Sequence, residues 1–165
     1  MKIAIIYTSI NESTKKSCEI LKSKVKADVK LISIKNAKTE CILKYNYIIL
    51  AASAIHGKVQ SDLKLYISRN AQNLKEKPLA LIINSEYDVN RFDETFTEEL
   101  VNLSKIKSNF GYELNPNEGN YFEKRKTNKL IEEYSKNNKE LPSINFDEIN
   151  KFADYINSTI EKRID

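Results

Sequence analysis

The chain predicts a doubly wound α/β sheet, and three observations carry that expectation. Four short apolar runs recur along the first half, segments of helical period separate them, and a hydroxyl-rich turn directly follows the first run. Strands separated by helices pair in parallel through right-handed crossovers, with helices packed on both faces of the sheet.

The strand candidates are residues 2–7, 28–34, 46–52 and 78–84. The first, third and fourth are nearly continuous apolar runs, the pattern of strands covered on both sides. The second alternates apolar and polar positions, which suits a strand nearer an edge. Helices are expected at about 14–25 with Cys18, Leu21 and Val25 inward, at 59–74 with Leu63, Tyr66, Ile67 and Leu74 inward, and at 92–104 with Phe92, Phe96, Leu100 and Leu103 inward. A last helix at 146–162 carries Ile149, Phe152, Ala153, Ile156 and Ile160, the stripe of a helix docked on a sheet. The fifth strand is weak, with 105–112 the best candidate. From about 111 to 142 the chain is rich in Asn, Glu and Lys and contains Asn115-Pro116-Asn117 and Glu118-Gly119-Asn120 as turn signals. This stretch reads as a polar insertion with one helix near 121–135, within a single domain spanning 1–165. Tyr121 and Phe122 are expected to dock it onto the domain, and the run Glu123-Lys124-Arg125-Lys126 makes it very polar.

At 165 residues the chain is long enough to bury a core without staples. Cys18 and Cys41 form no Cys-x-x-Cys pair and read as ordinary reduced cysteines, so a cytoplasmic protein is expected. There is no layout of a secretory signal and no apolar run of bilayer length. One histidine and two distant cysteines offer no metal-ligand set. Charge is divided unevenly: residues 1–83 hold 15 Lys/Arg against 6 Asp/Glu, and residues 84–165 hold 12 against 17. Lysines at 15, 16, 22, 24, 26 and 30 lie in or near the first helix and read first as a solvated basic face, with an anionic partner or peripheral contact with a membrane surface as the alternative. No aromatic platform or recognition helix accompanies them, so nucleic acid is not expected as a partner.

In a sheet of this kind ligands bind beyond the carboxyl ends of the strands, where strand order reverses. Three turns meet there. The first is Thr8-Ser9-Ile10-Asn11-Glu12-Ser13-Thr14, joining a buried strand to a helix N-terminus, whose unpaired N–H groups and positive dipole end suit a phosphate. The second, Ser53-Ala54-Ile55-His56-Gly57-Lys58, holds the only histidine and one of three glycines. The third, Asn84-Ser85-Glu86-Tyr87-Asp88, sets an aromatic ring between two carboxylates. No Ser or Cys nucleophile with a supporting acid can be assigned around His56, so no catalytic residue is named.

The run Lys2-Ile3-Ala4-Ile5-Ile6-Tyr7-x-Ser9 ending at Thr14, followed by Tyr47-Ile48-Ile49-Leu50-Ala51-Ala52-Ser53 and Gly57, resembles the flavodoxin family. More narrowly, Ala52-Ser53-Ala54-Ile55-His56-Gly57, with an insertion before a final helix opened by Asn145-Phe146-Asp147-Glu148, is similar to the branch that includes menaquinone-dependent protoporphyrinogen oxidases. The resemblance implies a flavodoxin-like five-stranded parallel sheet in the order 2-1-3-4-5 with helices on both faces, and FMN as cofactor. Ser9, Ile10, Asn11, Glu12, Ser13 and Thr14 would surround the phosphate. Ser53, Ala54, Ile55, His56 and Gly57 would border one side of the flavin ring, and Asn84, Ser85, Glu86 and Tyr87 the other. The implied activity is electron transfer or an FMN-dependent oxidation, with a redox partner protein or a quinone-type acceptor. Two departures stand out. Family phosphate turns usually carry Gly where this chain has Glu12, and a carboxylate ~6 Å from a phosphate is repelled by about 3 kcal/mol per unit charge at an effective dielectric of about 20. Glu12 is therefore expected to point outward. The ligand turns also lie largely in the basic half, unlike the acidic flavin edge of carrier flavodoxins. The alternative reading is a flavin-free module of the same fold with a binding or regulatory role.

Overall fold

In the computed structural model, which describes residues 1–9, 12–54, 61–85, 92–118 and 120–162, five strands form one parallel sheet. They are β1 (Lys2–Tyr7), β2 (Asp28–Ser33), β3 (Tyr47–Ser53), β4 (Leu79–Asn84) and β5 (Ile106–Asn109), in the order 2-1-3-4-5. Every adjacent pair is parallel, with Ile3 opposite Val29 on one side and Tyr47 on the other. Each residue of β3 and β4 is buried, as strands covered from both sides require. The alternating strand β2 is indeed an edge, and the short β5 is the other.

Side-chain alternation along the strands divides the core in two. Ile3, Ile5, Tyr47, Ile49, Ala80 and Ile82 face helices α1 (Ser13–Lys24) and α6 (Phe146–Glu161). Ala4, Ile6, Ile48, Leu50, Leu81 and Ile83 face α2 (Ser61–Lys75), α3 (Phe92–Thr95) and α4 (Glu98–Leu103). The α6 stripe packs as its spacing predicts: Ile149, Phe152, Ala153, Ile156 and Ile160 are all buried, with Phe152 edge-on to Phe110 at 5.4 Å. Asn145 caps that helix by accepting the Glu148 N–H at 3.1 Å.

Two expectations need correction. The helix over 92–104 is broken into α3 and α4, because Thr97 takes an extended backbone and caps a new helix, its Oγ1 accepting from the Leu100 N–H at 3.4 Å. The restart shifts the inward face onto Leu100 and Val101, and Leu103 is 41 % exposed. The insertion helix α5 (Tyr121–Lys136) forms as expected, but Tyr121 and Phe122 do not dock: both lie on its solvent side. No described helix is long and apolar enough to cross a membrane.

The insertion leaves the domain through a narrow neck. Gly111 bridges antiparallel to Ile144, and the Asn145 N–H donates to the Phe110 carbonyl at 2.8 Å. Gly111 has φ +63°, and a Cβ there would lie 2.3 Å from the Ser143 carbonyl oxygen. Both the left-handed backbone and the close approach require glycine. Gly111→Ala should therefore destabilise the protein by roughly 2 to 4 kcal/mol, measured by urea denaturation.

Between β2 and β3, Glu40 gathers the chain. It receives the Tyr45 O–H at 2.9 Å, the Lys30 ammonium at 3.0 Å and the Lys44 ammonium, while its side chain is only 15 % exposed. These donors, Lys44 foremost, push its carboxyl from the ordinary 4.5 down to about 2. A carboxyl depressed on folding contributes stability above its unfolded pKa and loses it as pH falls through the folded one. Thermal melts should show wild-type stability falling between about pH 4.5 and 2, and Glu40→Gln should lack that component.

Candidate functional site

The carboxyl ends of β1, β3 and β4 are laced together at the point where strand order reverses. The Thr8 N–H donates to the Ala51 carbonyl at 2.9 Å, and the Thr8 Oγ1 accepts from the Ser53 N–H at 3.0 Å. The Ala54 N–H in turn donates to the Asn84 carbonyl at 3.0 Å. Ser53, Ala54, Asn84 and Ser85 are thereby brought side by side, all of them buried. The first turn thus opens beside the start of the second and third. Ile10, Asn11, Ile55, His56, Gly57, Glu86 and Tyr87 lie outside the described residues.

Helix α1 starts at this junction in an unusual way. Helices α2, α4 and α6 each carry an acidic residue in the first turn, and Thr97 and Asn145 cap two of them through their side chains. The first turn of α1 has no acid, and its N-cap residue makes no side-chain cap. Lys15 and Lys16 stand there instead, against the preference of the helix dipole. Three residues before Glu12, the Ser9 Oγ is buried with no hydrogen-bond partner among the described residues. A buried hydroxyl left unpaired costs stability unless a ligand completes it. An orphan hydroxyl beside an uncapped, lysine-bearing helix start suits an anion with several acceptor oxygens.

Glu12 points away, as expected. It adopts φ +54°, its side chain is 54 % exposed, and its Oε2 lies 3.0 Å from the Lys15 ammonium. That contact raises the Lys15 pKa. The left-handed backbone explains why glycine is the natural residue at this place.

Asn84 has a role that its position in the third turn does not reveal. Its Nδ2 donates to the Ser17 Oγ at 3.1 Å and to the Gly111 carbonyl at 2.7 Å, and the Ser17 hydroxyl donates to the Thr14 carbonyl at 2.9 Å. A single buried amide therefore ties β4, α1 and the neck of the insertion. The same neck grips the helix start again: the Glu113 N–H donates to the Ser13 Oγ at 3.0 Å, and Lys16 meets the Glu113 carboxylate at 2.6 Å. Asn109 steadies the third turn by accepting the Ser85 N–H at 3.3 Å. The sequence does not mark Thr8, Ser17, Asn109 and Glu113 as residues that shape this junction. Only Thr8 had a local signal, as the first hydroxyl of the turn.

Among the described residues no cluster of three or more His, Cys, Asp or Glu could hold a metal. Burial on the inner face of α1 raises the Cys18 thiol pKa strongly, which disfavours the reactive thiolate.

Glu12→Gly should remove the left-handed strain at the cost of one exposed ion pair. The expected net is a gain of up to about 1 kcal/mol in stability by denaturant titration; a loss would contradict the outward placement of this side chain.

No curated protein sequence matches the chain significantly. Solved structures do. The oxidised flavodoxin 1 of Bacillus cereus superposes with a TM-score of 0.53 at 17 % identity, over 82 % of this chain and 98 % of that one. A flavodoxin from the domain Archaea gives 0.54 at 17 % identity over 79 % and 93 %. The two-electron reduced flavodoxin of Megasphaera elsdenii gives 0.53 at 16 % identity over 66 % and 82 %. These identities speak for the fold alone. The model of the flavodoxin domain family matches residues 4–141, which takes in the laced strand ends, the start of α1 and most of the insertion, and so the chain belongs to the flavodoxin domain family.

Proposed function

We propose that the chain binds FMN at the carboxyl ends of β1, β3 and β4 and serves in electron transfer with a redox partner. The observation that carries this reading is the buried Ser9 hydroxyl, without a partner among the described residues, just ahead of the uncapped start of α1. A flavin phosphate is a dianion whose oxygens can accept from that hydroxyl, from the first N–H groups of α1 and from the Thr14 side chain. Membership in the flavodoxin domain family and the fold-level likeness to flavodoxins support the same assignment.

When bound, FMN supplies reversible electron uptake and release, singly or in pairs. The protein's part is to hold and surround it. Ser9, Ser13 and Thr14, with Ile10 and Asn11 between them, would hold the phosphate. Glu12 would stay outside, its charge offset by Lys15 at 3.0 Å. Ser53 and Ala54, leading into Ile55, His56 and Gly57, would border one side of the ring, and Asn84 and Ser85, leading into Glu86 and Tyr87, the other. Since Asn84 places its side-chain amide on Ser17 and Gly111, its contribution to that border would be positional.

A narrower reading, quinone-dependent oxidation of protoporphyrinogen, rests on the stretch 52–57 and on the insertion ahead of α6. It requires quinone-dependent turnover by the FMN-loaded protein, and loaded protein without such turnover removes it.

Purified protein should take up FMN at micromolar concentration, read by quenching of flavin fluorescence. Thr14→Ala should weaken FMN by about 1 to 2 kcal/mol. Ser9→Ala should weaken it by about 1 kcal/mol while leaving the flavin-free protein equally or more stable, since an unsatisfied buried hydroxyl is removed. Failure of the wild type to bind FMN would favour the flavin-free module instead.

A further inference from the structure

Helix α5 turns one side towards the domain and leaves the other without a partner. At 3.6 residues per turn, Thr127, Leu130, Ile131 and Tyr134 share one side. These are the positions that lose solvent: Thr127 is buried and the other three are half-buried. The opposite side opens with Tyr121 and Phe122, whose rings meet edge to face at 5.8 Å. They are 73 % and 72 % exposed, more than any other described large hydrophobic residue. Arg125, Lys126 and Lys129 follow on that same side, all exposed and none in an ion pair among the described residues. On this side no described carboxylate interrupts them before Glu132.

Two solvent-facing rings bring the protein no packing, so their position calls for a surface that can cover them. The cations beside them select for an anionic one. The rings stand on the convex outside of a single helix. A folded partner would have to offer a pocket for both rings rimmed by carboxylates, whereas a lipid headgroup layer deforms around them and needs no matching shape. Aromatic rings rest well at headgroup depth, and Arg and Lys reach the phosphate and carboxylate charges above it.

We infer that the outer face of α5 is a peripheral contact site for the anionic headgroup surface of a lipid bilayer, with Tyr121 and Phe122 entering the headgroup layer and Arg125, Lys126 and Lys129 engaging its charge. The inference does not depend on FMN, because the surface is complete without the flavin site.

The test is co-sedimentation of the full chain with vesicles of phosphatidylcholine alone or mixed with phosphatidylserine, at low and high salt. The expected result is binding to the mixed vesicles that added salt releases, and none to phosphatidylcholine alone. The combined variant Arg125→Glu, Lys126→Glu, Lys129→Glu should weaken binding roughly tenfold or more. Tyr121→Ala with Phe122→Ala should weaken it with the salt dependence retained. Lys64→Glu, an exposed site on α2, should bind as wild type. Absence of binding to the mixed vesicles would overturn the inference, as would equal binding to both kinds or a loss with Lys64→Glu as large as with the triple variant. Binding to polyglutamate without binding to vesicles would overturn it in favour of an acidic protein partner. Circular dichroism of each variant separates lost contact from lost fold, and the smaller aromatic substitutions keep the test open should the triple variant unfold.

Discussion

Three neighbouring strands, β1, β3 and β4, have almost no polar side chain on either face, and most of the architecture follows from the need to cover both. A strand that is apolar on two faces cannot border water, so helices must lie above and below it. Right-handed crossovers place them alternately only if the chain starts near the middle of the sheet and winds outward in both directions. That is the order 2-1-3-4-5. Winding outward in opposite directions leaves the loops after β1 and β3 running to opposite faces, and a crevice opens between them. The candidate flavin site thus sits where burial of the core obliges the chain to part.

The crevice is kept in shape by polar contacts that the apolar layers cannot supply. Thr8, Ser53, Ala54 and Asn84 lace the strand ends through side chain and backbone. Asn84 and Ser17 then anchor the start of α1 to the neck of the insertion. Such a buried network is stable because its members satisfy one another. Against that background the Ser9 hydroxyl, buried and without a partner among the described residues, is conspicuous. The positive end of α1 and the outward turn of Glu12 leave the place open to negative charge.

Much of the fold was legible because its signals are local. The unbroken apolar runs at Ile3–Ile6 and Ile48–Ala52 mark doubly covered strands, the alternation in Asp28–Ser33 marks an edge, and Ile149, Phe152, Ala153, Ile156 and Ile160 mark a docked helix. The turn after β1 stands out in the sequence for the same reason, as hydroxyls between a strand and a helix. What could not be read were contacts made at long range. Nothing near Asn84 in sequence indicates that its amide reaches Ser17 and Gly111, and nothing near Glu113 indicates that it meets Ser13 and Lys16. The break at Thr97 escaped because apolar spacing across 92–104 fits one helix, while a single hydroxyl cap decides for two. Tyr121 and Phe122 misled because aromatic residues usually seek the core, and here the inward side of α5 is taken by Thr127 and its neighbours.

The neck at Gly111 and Ile144 has a consequence for how such a protein can change over generations. Because the chain leaves and re-enters the domain at one bridged pair, the thirty-odd residues between them answer to the sheet at their two ends and through the inward side of α5. Length, charge and aromatic content can drift within that segment while the crevice at the carboxyl ends of the strands keeps its dimensions. A lineage can in this way acquire a new address or associate without renegotiating the chemistry beneath it.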